Sequence, residues 1–287
     1  MIERVHLFGS HRGLVGVITE PSSAERRPNA PTVVFSNVGL NHRVGPGRVY
    51  VDLARELAAA GYVTMRFDLS GFGDSEPRRT DAGDLERAVL DTREALDFLE
   101  KKGSSRFVLL GLCSGVDSAH ALALADSRVV GAVFIDGYAY RNRGFWLRYY
   151  TARMLQAARW KRFFRQRRVR MRRKQANPDT GPGQEVFSRE YPPQAAFASE
   201  IARLVGRAVE LLFIYTVVAD NHYNYPNQFR DTFGDHARID VEYYTRADHV
   251  FSATRDRTQL ISRVVGWMNA RFSHPPDTVV AASVSPR

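Results

Sequence analysis

The stretch Phe107–Gly115 carries the residue best suited to covalent chemistry. It reads Phe-Val-Leu-Leu-Gly-Leu-Cys-Ser-Gly, an apolar run that ends in Gly-x-Cys-x-Gly. This pattern is typical of a strained turn from a strand into a helix, where the central residue is a nucleophile and side chains at the two glycine positions would clash with backbone. The helix start favours a thiolate over a thiol. Cys113 is therefore the candidate nucleophile, and the alternative is a small buried hydrophobic residue.

A thiol nucleophile needs a base that takes its proton and later protonates the leaving group. His249 lies in a loop between the last predicted strand and the last predicted helix, downstream of Cys113. In enzymes with this turn the nucleophile, the acid and the histidine follow one another in that order, and the histidine lies at this place. His249 is therefore the candidate base. The alternative is a surface histidine with no role in catalysis.

Two aspartates are candidates for the acid that holds the tautomer of His249. Asp220 comes just after a predicted strand and lies 29 residues before His249, whereas Asp136 ends the preceding predicted strand. The order of the triad favours Asp220, although the acid can also follow the earlier strand. We prefer Asp220 and keep Asp136 as the alternative. The polar and aromatic residues His222 and Tyr223 follow Asp220 and are candidates for the lining of a substrate pocket.

The negative oxygen formed during acyl transfer needs two backbone amides that donate hydrogen bonds to it. One donor is the amide of Ser114, which follows the nucleophile, and the other is Gly39 or Leu40 in the loop after an early strand. The side chain of Ser114 is one position away from the place of a nucleophile between Gly111 and Gly115. We therefore expect only the backbone of Ser114 to take part.

Strands alternate with helices along most of the chain. The predicted strands are 5–8, 14–18, 32–35, 63–68, 107–112, 129–135, 210–217 and 240–244, and the predicted helices are 49–60, 84–101, 114–125 and 257–272. The first two strands predict an antiparallel hairpin, and Asp84 is expected to cap the second helix. The fold class is therefore α/β, with a doubly wound, mostly parallel sheet. Catalytic groups are expected at the carboxyl ends of its strands.

Length and composition are consistent with one large core. The chain has 287 residues, of which 44% are hydrophobic. We expect residues 1–140 and 206–272 to form the core, 141–205 a helical lid, and 273–287 a flexible tail. The single cysteine excludes an intramolecular disulfide and a multi-cysteine zinc site, and the first residues lack the apolar core of a signal peptide. No apolar run is long enough to span a membrane. We expect a cytoplasmic protein without a metal or cofactor.

These motifs together resemble the α/β-hydrolase superfamily over residues 30–140 and 205–272. Phe67–Ser75 looks like the superfamily's turn after a strand that ends in aspartate, and with 41–46 and 111–115 the chain resembles small bacterial hydrolases found beside exosortase and biosynthetic gene clusters. A cysteine nucleophile is shared with dienelactone hydrolases and with aminoacyltransferases that move thioester-bound groups between carrier proteins. The resemblance implies ester or thioester chemistry and leaves the substrate open.

Positive charge is concentrated in the expected lid. The formal net charge is +10, yet Arg141–Lys174 alone contains 14 Lys and Arg and no Asp or Glu, which leaves −4 for the rest. One apolar stripe at helical spacing runs through this segment, namely Trp146, Tyr150, Met154, Ala157, Trp160 and Phe164. Arg162, Arg165 and Arg168 are candidates for binding the phosphate of coenzyme A or of phosphopantetheine on an acyl carrier protein. An anionic membrane surface is the alternative, and nucleic acid is disfavoured because no nucleic-acid module is visible.

The sequence thus predicts an acyl-transfer enzyme with a Cys-His-Asp triad. Cys113 would attack an ester or thioester, and the acyl-enzyme would pass its acyl group to water or to another acceptor. The alternative is a catalytically silent protein of the same fold that binds an anionic membrane or a protein partner through its basic segment. Acylation of Cys113 distinguishes the two.

Overall fold

The computed structural model describes residues 1–39, 41–154, 191–217 and 222–273. Within these ranges the strands are β1 (Ile2–Phe8), β2 (Leu14–Glu20), β3 (Thr32–Phe35), β4 (Thr64–Phe67), β5 (Phe107–Leu112), β6 (Val129–Ile135), β7 (Glu210–Thr216) and β8 (Ile239–Tyr244). The α-helices are α1 (Val49–Ala59), α2 (Asp84–Glu100), α3 (Gly115–Ala125), α4 (Arg143–Met154), α5 (Gln194–Gly206), α6 (Gln228–Phe233) and α7 (Thr254–Phe272).

The described strands form one sheet in the order β1-β2-β4-β3-β5-β6-β7-β8. β1 pairs antiparallel with β2, β2 pairs antiparallel with β4, and every later pair is parallel. The carboxyl ends of β3, β5, β6 and β7 therefore meet at one edge of the sheet, where the candidate catalytic residues follow. The expected α/β fold with a mostly parallel sheet and an antiparallel start is confirmed.

Helices cover both faces of the sheet, because the central strands are apolar on both sides. In β5, Leu109 faces one core with α2, α3 and α5, whereas Val108 and Leu110 face a second core with α1 and α7. All three side chains are fully buried. The alternation follows from the two-residue period of a strand. It fixes β5 firmly in the middle of the molecule, which gives the turn after it a rigid base.

The predicted element bounds differ from the structure mainly at helix ends and in two missed helices. Asp84 is the first residue of α2 and Gly83 is its N-cap, so the expected cap lies one position too late. The helices α5 and α6 were not predicted. In α5, Phe197, Ile201 and Leu204 are buried in the core with α3, because their spacing of four and three places them on one face. The last part of the expected lid, which α5 occupies, is therefore part of the core. The candidate lid is limited to the residues that precede α5.

Helix α4 lies at the beginning of the basic segment. Phe145 is its buried anchor, whereas Trp146 is 38% exposed and Tyr150 is 57% exposed. The first two members of the predicted apolar stripe therefore face outward, and the later ones from Ala157 onward lie outside the described residues. In the part of the chain that the structure describes, no helix is both long enough and apolar enough to cross a membrane.

Candidate active site

Cys113 lies on a strained turn between β5 and α3. Its φ angle is 54°, in the left-handed region that residues with a side chain rarely adopt. A Cβ atom on Gly111 would lie 2.4 Å from the carbonyl oxygen of Gly115, and one on Gly115 would lie 2.5 Å from the carbonyl oxygen of Asn37. Only glycine fits at either position, as the sequence pattern predicts. The turn raises Cys113 above the carboxyl end of β5, half-buried against the second core.

The buried hydroxyl of Tyr50 connects this turn to the loop after β3. It donates a hydrogen bond to the carbonyl oxygen of Ser36 at 3.0 Å and accepts one from the amide of Leu112 at 3.2 Å. Burial raises the pKa of Tyr50 far above its ordinary value, so the side chain remains a neutral hydroxyl with one proton to donate. Tyr50 therefore links the two backbone segments that would flank a reacting acyl group.

His249 lies between Cys113 and Asp136. Its Nδ1 is 2.7 Å from Oδ2 of Asp136, and its side chain also shares a hydrogen bond with Cys113, which leaves Nε2 for the sulfur. The bond to Asp136 and then the bond to Cys113 raise the pKa of His249 to about 10, although burial opposes the shift. The carboxylate and the sulfur thus both favour the imidazolium over the neutral ring.

The loop around His249 is shaped by the residue before it. The carboxylate of Asp248 accepts hydrogen bonds from the amides of Val250 at 3.2 Å and Ser252 at 2.9 Å, and from the Ser252 hydroxyl. These bonds lower the pKa of Asp248, the Ser252 hydroxyl contributing most. Phe251, fully buried with a φ of 52°, anchors the same loop in the second core. This local turn fixes where His249 points.

Asp136 follows β6 and is held by the end of β7. Its Oδ1 accepts a hydrogen bond from the amide of Thr216 at 2.7 Å, and its Oδ2 accepts one from the Thr216 hydroxyl at 2.7 Å. Asp136 has a φ of 47° and is buried. A buried carboxylate is stable as an anion only when its oxygens accept hydrogen bonds of this kind. The preferred acid of the sequence, Asp220, lies outside the described residues, whereas its alternative Asp136 contacts His249.

The candidate oxyanion donors come from the loop after β3 and from the start of α3. The amide of Gly39 donates a hydrogen bond to the side-chain oxygen of Ser114 at 2.7 Å, so these two predicted donors are adjacent. Gly39 has a φ of +49°, and no atom of the described residues, its two chain neighbours aside, lies within 4 Å of the position of an added Cβ. Leu40, the other predicted donor of this loop, lies outside the described residues.

Asp68 supports the loop after β3 from behind. Its fully buried carboxylate accepts hydrogen bonds from the Arg43 amide at 2.6 Å and the Asp74 amide at 3.1 Å, and it forms an ion pair with the guanidinium group of Arg43. A Cβ atom on Gly73 would lie 2.3 Å from the same carboxylate. The Asp-to-Gly-x-Gly-x-Ser segment is thus packed around Asp68.

The predicted substrate-binding residues lie in different environments. Tyr223 belongs to the core: its ring stacks on Tyr215 with centroids 3.9 Å apart, and its hydroxyl donates to the carbonyl oxygen of Pro226 at 3.0 Å. This placement contradicts the expectation that it lines a pocket. His222 is half-buried, and burial together with the charge of Arg141 lowers its pKa. Three further predicted residues, Arg162, Arg165 and Arg168, lie outside the described residues.

Metal binding has no candidate cluster in the described ranges. There, no three histidine, cysteine, aspartate or glutamate side chains lie close enough together to hold an ion. The titratable groups near Cys113 are committed to one another, since Asp136 binds His249 and Thr216. The arrangement can transfer a proton between sulfur and an acyl leaving group using protein residues alone.

Residues that act through their neighbours do not stand out in the sequence. Thr216 and Tyr50 are ordinary members of a strand and a helix in the sequence, and nothing in their local pattern marks them. The sequence predicts no role for the Ser114 side chain, because Ser114 lies one position away from the place of a nucleophile between Gly111 and Gly115. Two features of the sequence could have drawn attention to the Ser114 side chain. Ser114 precedes the helix α3, where a serine usually caps the helix, and a glycine lies in the facing loop.

Comparison with known proteins identifies the family. The family model described as "Alpha/beta hydrolase family" matches residues 37–282. An α/β serine hydrolase homologue from Coxiella burnetii is 16% identical, with 92% of this chain and 96% of that one covered and a TM-score of 0.56. An α/β serine hydrolase without a lid from Xanthomonas campestris is 14% identical, with 96% of each chain covered and a TM-score of 0.55.

A third similar structure is the proline iminopeptidase of Mycobacterium smegmatis, 16% identical over 94% of this chain and 98% of that one, with a TM-score of 0.55. Identities this low show a shared fold only. A search of curated proteins found no match. The family model spans the loop after β3, the turn at Cys113 and the loop at His249. The chain belongs to the α/β hydrolase family.

Proposed function

We propose that this α/β hydrolase is an acyl-transfer enzyme in which Cys113, His249 and Asp136 form the triad. The observation that carries the proposal is the bridging position of His249, which hydrogen-bonds Cys113 on the strained turn and Asp136 at 2.7 Å. Of the similar solved structures, one is named a serine hydrolase and another a serine hydrolase homologue. The cysteine suits a site that favours the imidazolium, because a thiolate is the charged partner that an imidazolium stabilises.

The first step forms a thioester on the enzyme. The Cys113 thiolate attacks the carbonyl carbon, a carbon–sulfur bond forms, and the carbonyl electron pair moves to oxygen. In this proposal the backbone amide of Ser114 donates a hydrogen bond to that oxygen. When this oxyanion collapses, the bond to the leaving alkoxide or thiolate breaks. The imidazolium of His249 donates its proton to that leaving group, while Asp136 keeps the ring oriented.

The second step returns the enzyme to its starting state. Neutral His249 takes a proton from water, an amine or a thiol, which attacks the thioester carbonyl carbon and expels the Cys113 thiolate. A thioester reacts with amines and thiols as well as with water. Transfer to another carrier is therefore part of the proposal alongside hydrolysis, and the acceptor decides the product.

We also propose that the basic segment Arg141–Lys174 binds the anionic carrier of the acyl group, a phosphopantetheine-bearing protein or coenzyme A. The support is its concentration of positive charge, of which Arg141, Arg143 and Arg148 belong to the described part. Reversing the charge of Arg162, Arg165 and Arg168 should raise KM for an acyl carrier thioester and leave kcat on a small neutral ester unchanged. Loss of liposome binding with unchanged carrier kinetics would instead assign the segment to a membrane surface.

The triad is tested by intact-mass spectrometry of the protein with p-nitrophenyl acetate, acyl-CoA and acyl carrier protein. We expect one acyl group per chain on the wild type and none on Cys113→Ala. His249→Ala should acylate more slowly by a factor of about 10² or more. His236→Ala is the matched control, because His236 precedes β8 at the opposite edge of the sheet, and among the described residues its ring hydrogen-bonds only the carbonyl oxygen of Phe233, at 3.2 Å.

The same experiment separates an enzyme from a silent binding protein. A silent protein would take no acyl group from any donor, even where iodoacetamide alkylates Cys113. Acylation that persists in Cys113→Ala would show a different nucleophile and refute the proposed role of the sulfur.

A further inference from the structure

Ser114 occupies the helix N-cap without capping the helix. A serine at this position usually accepts a hydrogen bond from an amide of the first helical turn, which stabilises the helix by about 1 kcal/mol. Here the side chain makes no such bond. Its oxygen instead lies 2.7 Å from the amide nitrogen of Gly39, on the loop across the candidate active site. The Ser114 side chain thus bonds the loop beside the candidate nucleophile instead of an amide of its own helix.

The hydrogen bond with Gly39 leaves the hydroxyl proton of Ser114 to donate elsewhere. A hydroxyl group has one donor proton and two acceptor lone pairs, and the Gly39 amide uses one of the lone pairs. Among the described residues, no acceptor receives that proton. No atom of the described residues, the two chain neighbours of Gly39 aside, lies within 4 Å of the position of a Cβ added to Gly39. A polarised donor therefore borders the place where an acyl oxygen must lie when its carbon bonds to Cys113.

The glycine contacts make this placement rigid. A Cβ atom on Gly115 would lie 2.5 Å from the carbonyl oxygen of Asn37, so the start of α3 and the loop of Gly39 approach each other too closely for a side chain between them. Tyr50 connects the same two segments on the buried side. A donor held between two rigid segments pays little reorganisation cost when charge develops on a substrate oxygen.

We propose that the Ser114 hydroxyl is a catalytic residue that donates a hydrogen bond to the acyl oxygen, while the Gly39 amide holds and polarises it. This role rests on the proposed acyl-transfer function. The chain of donors runs from the Gly39 amide through the Ser114 oxygen to the substrate, and each bond in such a chain strengthens the next. The Ser114 amide donates to the same oxygen, so one residue contributes two donors.

The test compares two reactions of Cys113. Attack on p-nitrophenyl acetate develops an oxyanion, whereas alkylation by iodoacetamide displaces iodide and does not. We expect Ser114→Ala to lower the acylation rate about tenfold or more and to leave the alkylation rate unchanged, because loss of one such donor costs about 10² to 10³ and the freed Gly39 amide replaces part of it. Ser114→Thr, which keeps a hydroxyl, should retain most of the acylation rate.

Ser118→Ala is the matched control. Ser118 lies one turn further along α3 and donates its hydroxyl proton to the carbonyl oxygen of Gly115 at 3.3 Å. It should change neither reaction, and an unchanged alkylation rate in each variant shows that the turn at Cys113 is intact. Acylation of Ser114→Ala at the wild-type rate or faster would overturn the catalytic role of the Ser114 hydroxyl, but it would not contradict the proposed acyl-transfer function. A wild type that is alkylated but never acylated would overturn the proposed function itself.

Discussion

The two sides of the proposed active site are built in different ways, the nucleophile side around Cys113 and the acid side around Asp136. The nucleophile side is held by backbone in close contact: Gly111, Gly115 and Asn37 approach so closely that no side chain fits between them. The acid side is held by side chains from three separate segments, with Asp136, Thr216 and His249 joined by hydrogen bonds of 2.7 Å. Steric exclusion therefore fixes the nucleophile side, whereas hydrogen bonds to a carboxylate fix the acid side.

This difference determines how each side responds to substitution. A close backbone contact fails as a unit when any atom is added, because carbonyl groups in neighbouring elements cannot move independently. A hydrogen-bond network loses single bonds and keeps its fold, so its losses appear first in turnover and in the pKa of His249. Variants of the two sides should therefore separate changes in stability from changes in catalysis.

The largest effect is expected for Gly111→Ala. The added Cβ would lie 2.4 Å from the carbonyl oxygen of Gly115, so the turn must open, at a cost of about 3 kcal/mol or more. Both the free energy of unfolding and the alkylation rate of Cys113 should fall. Gly266→Ala is the control, because an added Cβ on this exposed residue of α7 meets nothing within 4 Å and should stabilise the helix by up to about 1 kcal/mol. Equal unfolding energies for Gly111→Ala and the wild type would contradict the steric account.

The second effect concerns the acid. Asp136→Asn should lower turnover about 10²-fold or more, because the amide no longer favours the imidazolium of His249. The matched variant is Asp220→Asn, which replaces the acid that the sequence favoured. We expect it to retain turnover within a few-fold of the wild type. The opposite ranking, at equal melting temperatures, would assign the acid to Asp220.

A smaller effect is expected at Thr216, a positioning residue. Thr216→Val keeps the shape of the side chain and removes the hydroxyl that donates to Asp136, and should lower turnover about tenfold, the equivalent of one hydrogen bond to a charged group. Thr216→Ser restores the hydroxyl and should recover most of the rate. If Val and Ser behave alike, the hydroxyl has no part in orienting the acid.

The smallest expected change is the pH dependence of stability. The pKa of His249 in the folded protein, about 10, lies above the ordinary value of 6.5, so the folded state holds this proton more tightly than the unfolded chain does. The resulting stabilisation is complete below about pH 6.5 and is lost as the pH rises through about 10. Asp136→Asn removes the largest cause of the shift, so the stability advantage of the wild type should shrink between pH 6 and pH 10. Urea unfolding measures the free energy of unfolding of both proteins at each pH. A difference between them that stays constant from pH 6 to pH 10 would contradict the assignment of Asp136 as the partner of His249.

The nucleophile side and the sheet could be predicted from the sequence because their causes are local. The apolar run of β5, the two glycines and Cys113 lie within nine consecutive residues, and the steric constraint on Gly111 comes from Gly115 in the same stretch. Alternating strands and helices likewise predicted the parallel sheet, since each element's own period shows which faces it buries. His249 was proposed as the base from its place in the order of elements.

The acid side and the role of the Ser114 side chain could not be predicted in the same way. Asp136 and Thr216 are 80 residues apart and become partners only because β6 and β7 are adjacent in the sheet. Tyr223 was expected in a pocket and is stacked in the core, because the packing around Tyr215 decides its exposure. The sequence by itself determined the turn at Cys113 and the α/β architecture, and it made Cys113 the candidate nucleophile. Only the tertiary structure decided which side chains meet across the sheet edge, because those contacts depend on strand order and register rather than on local pattern.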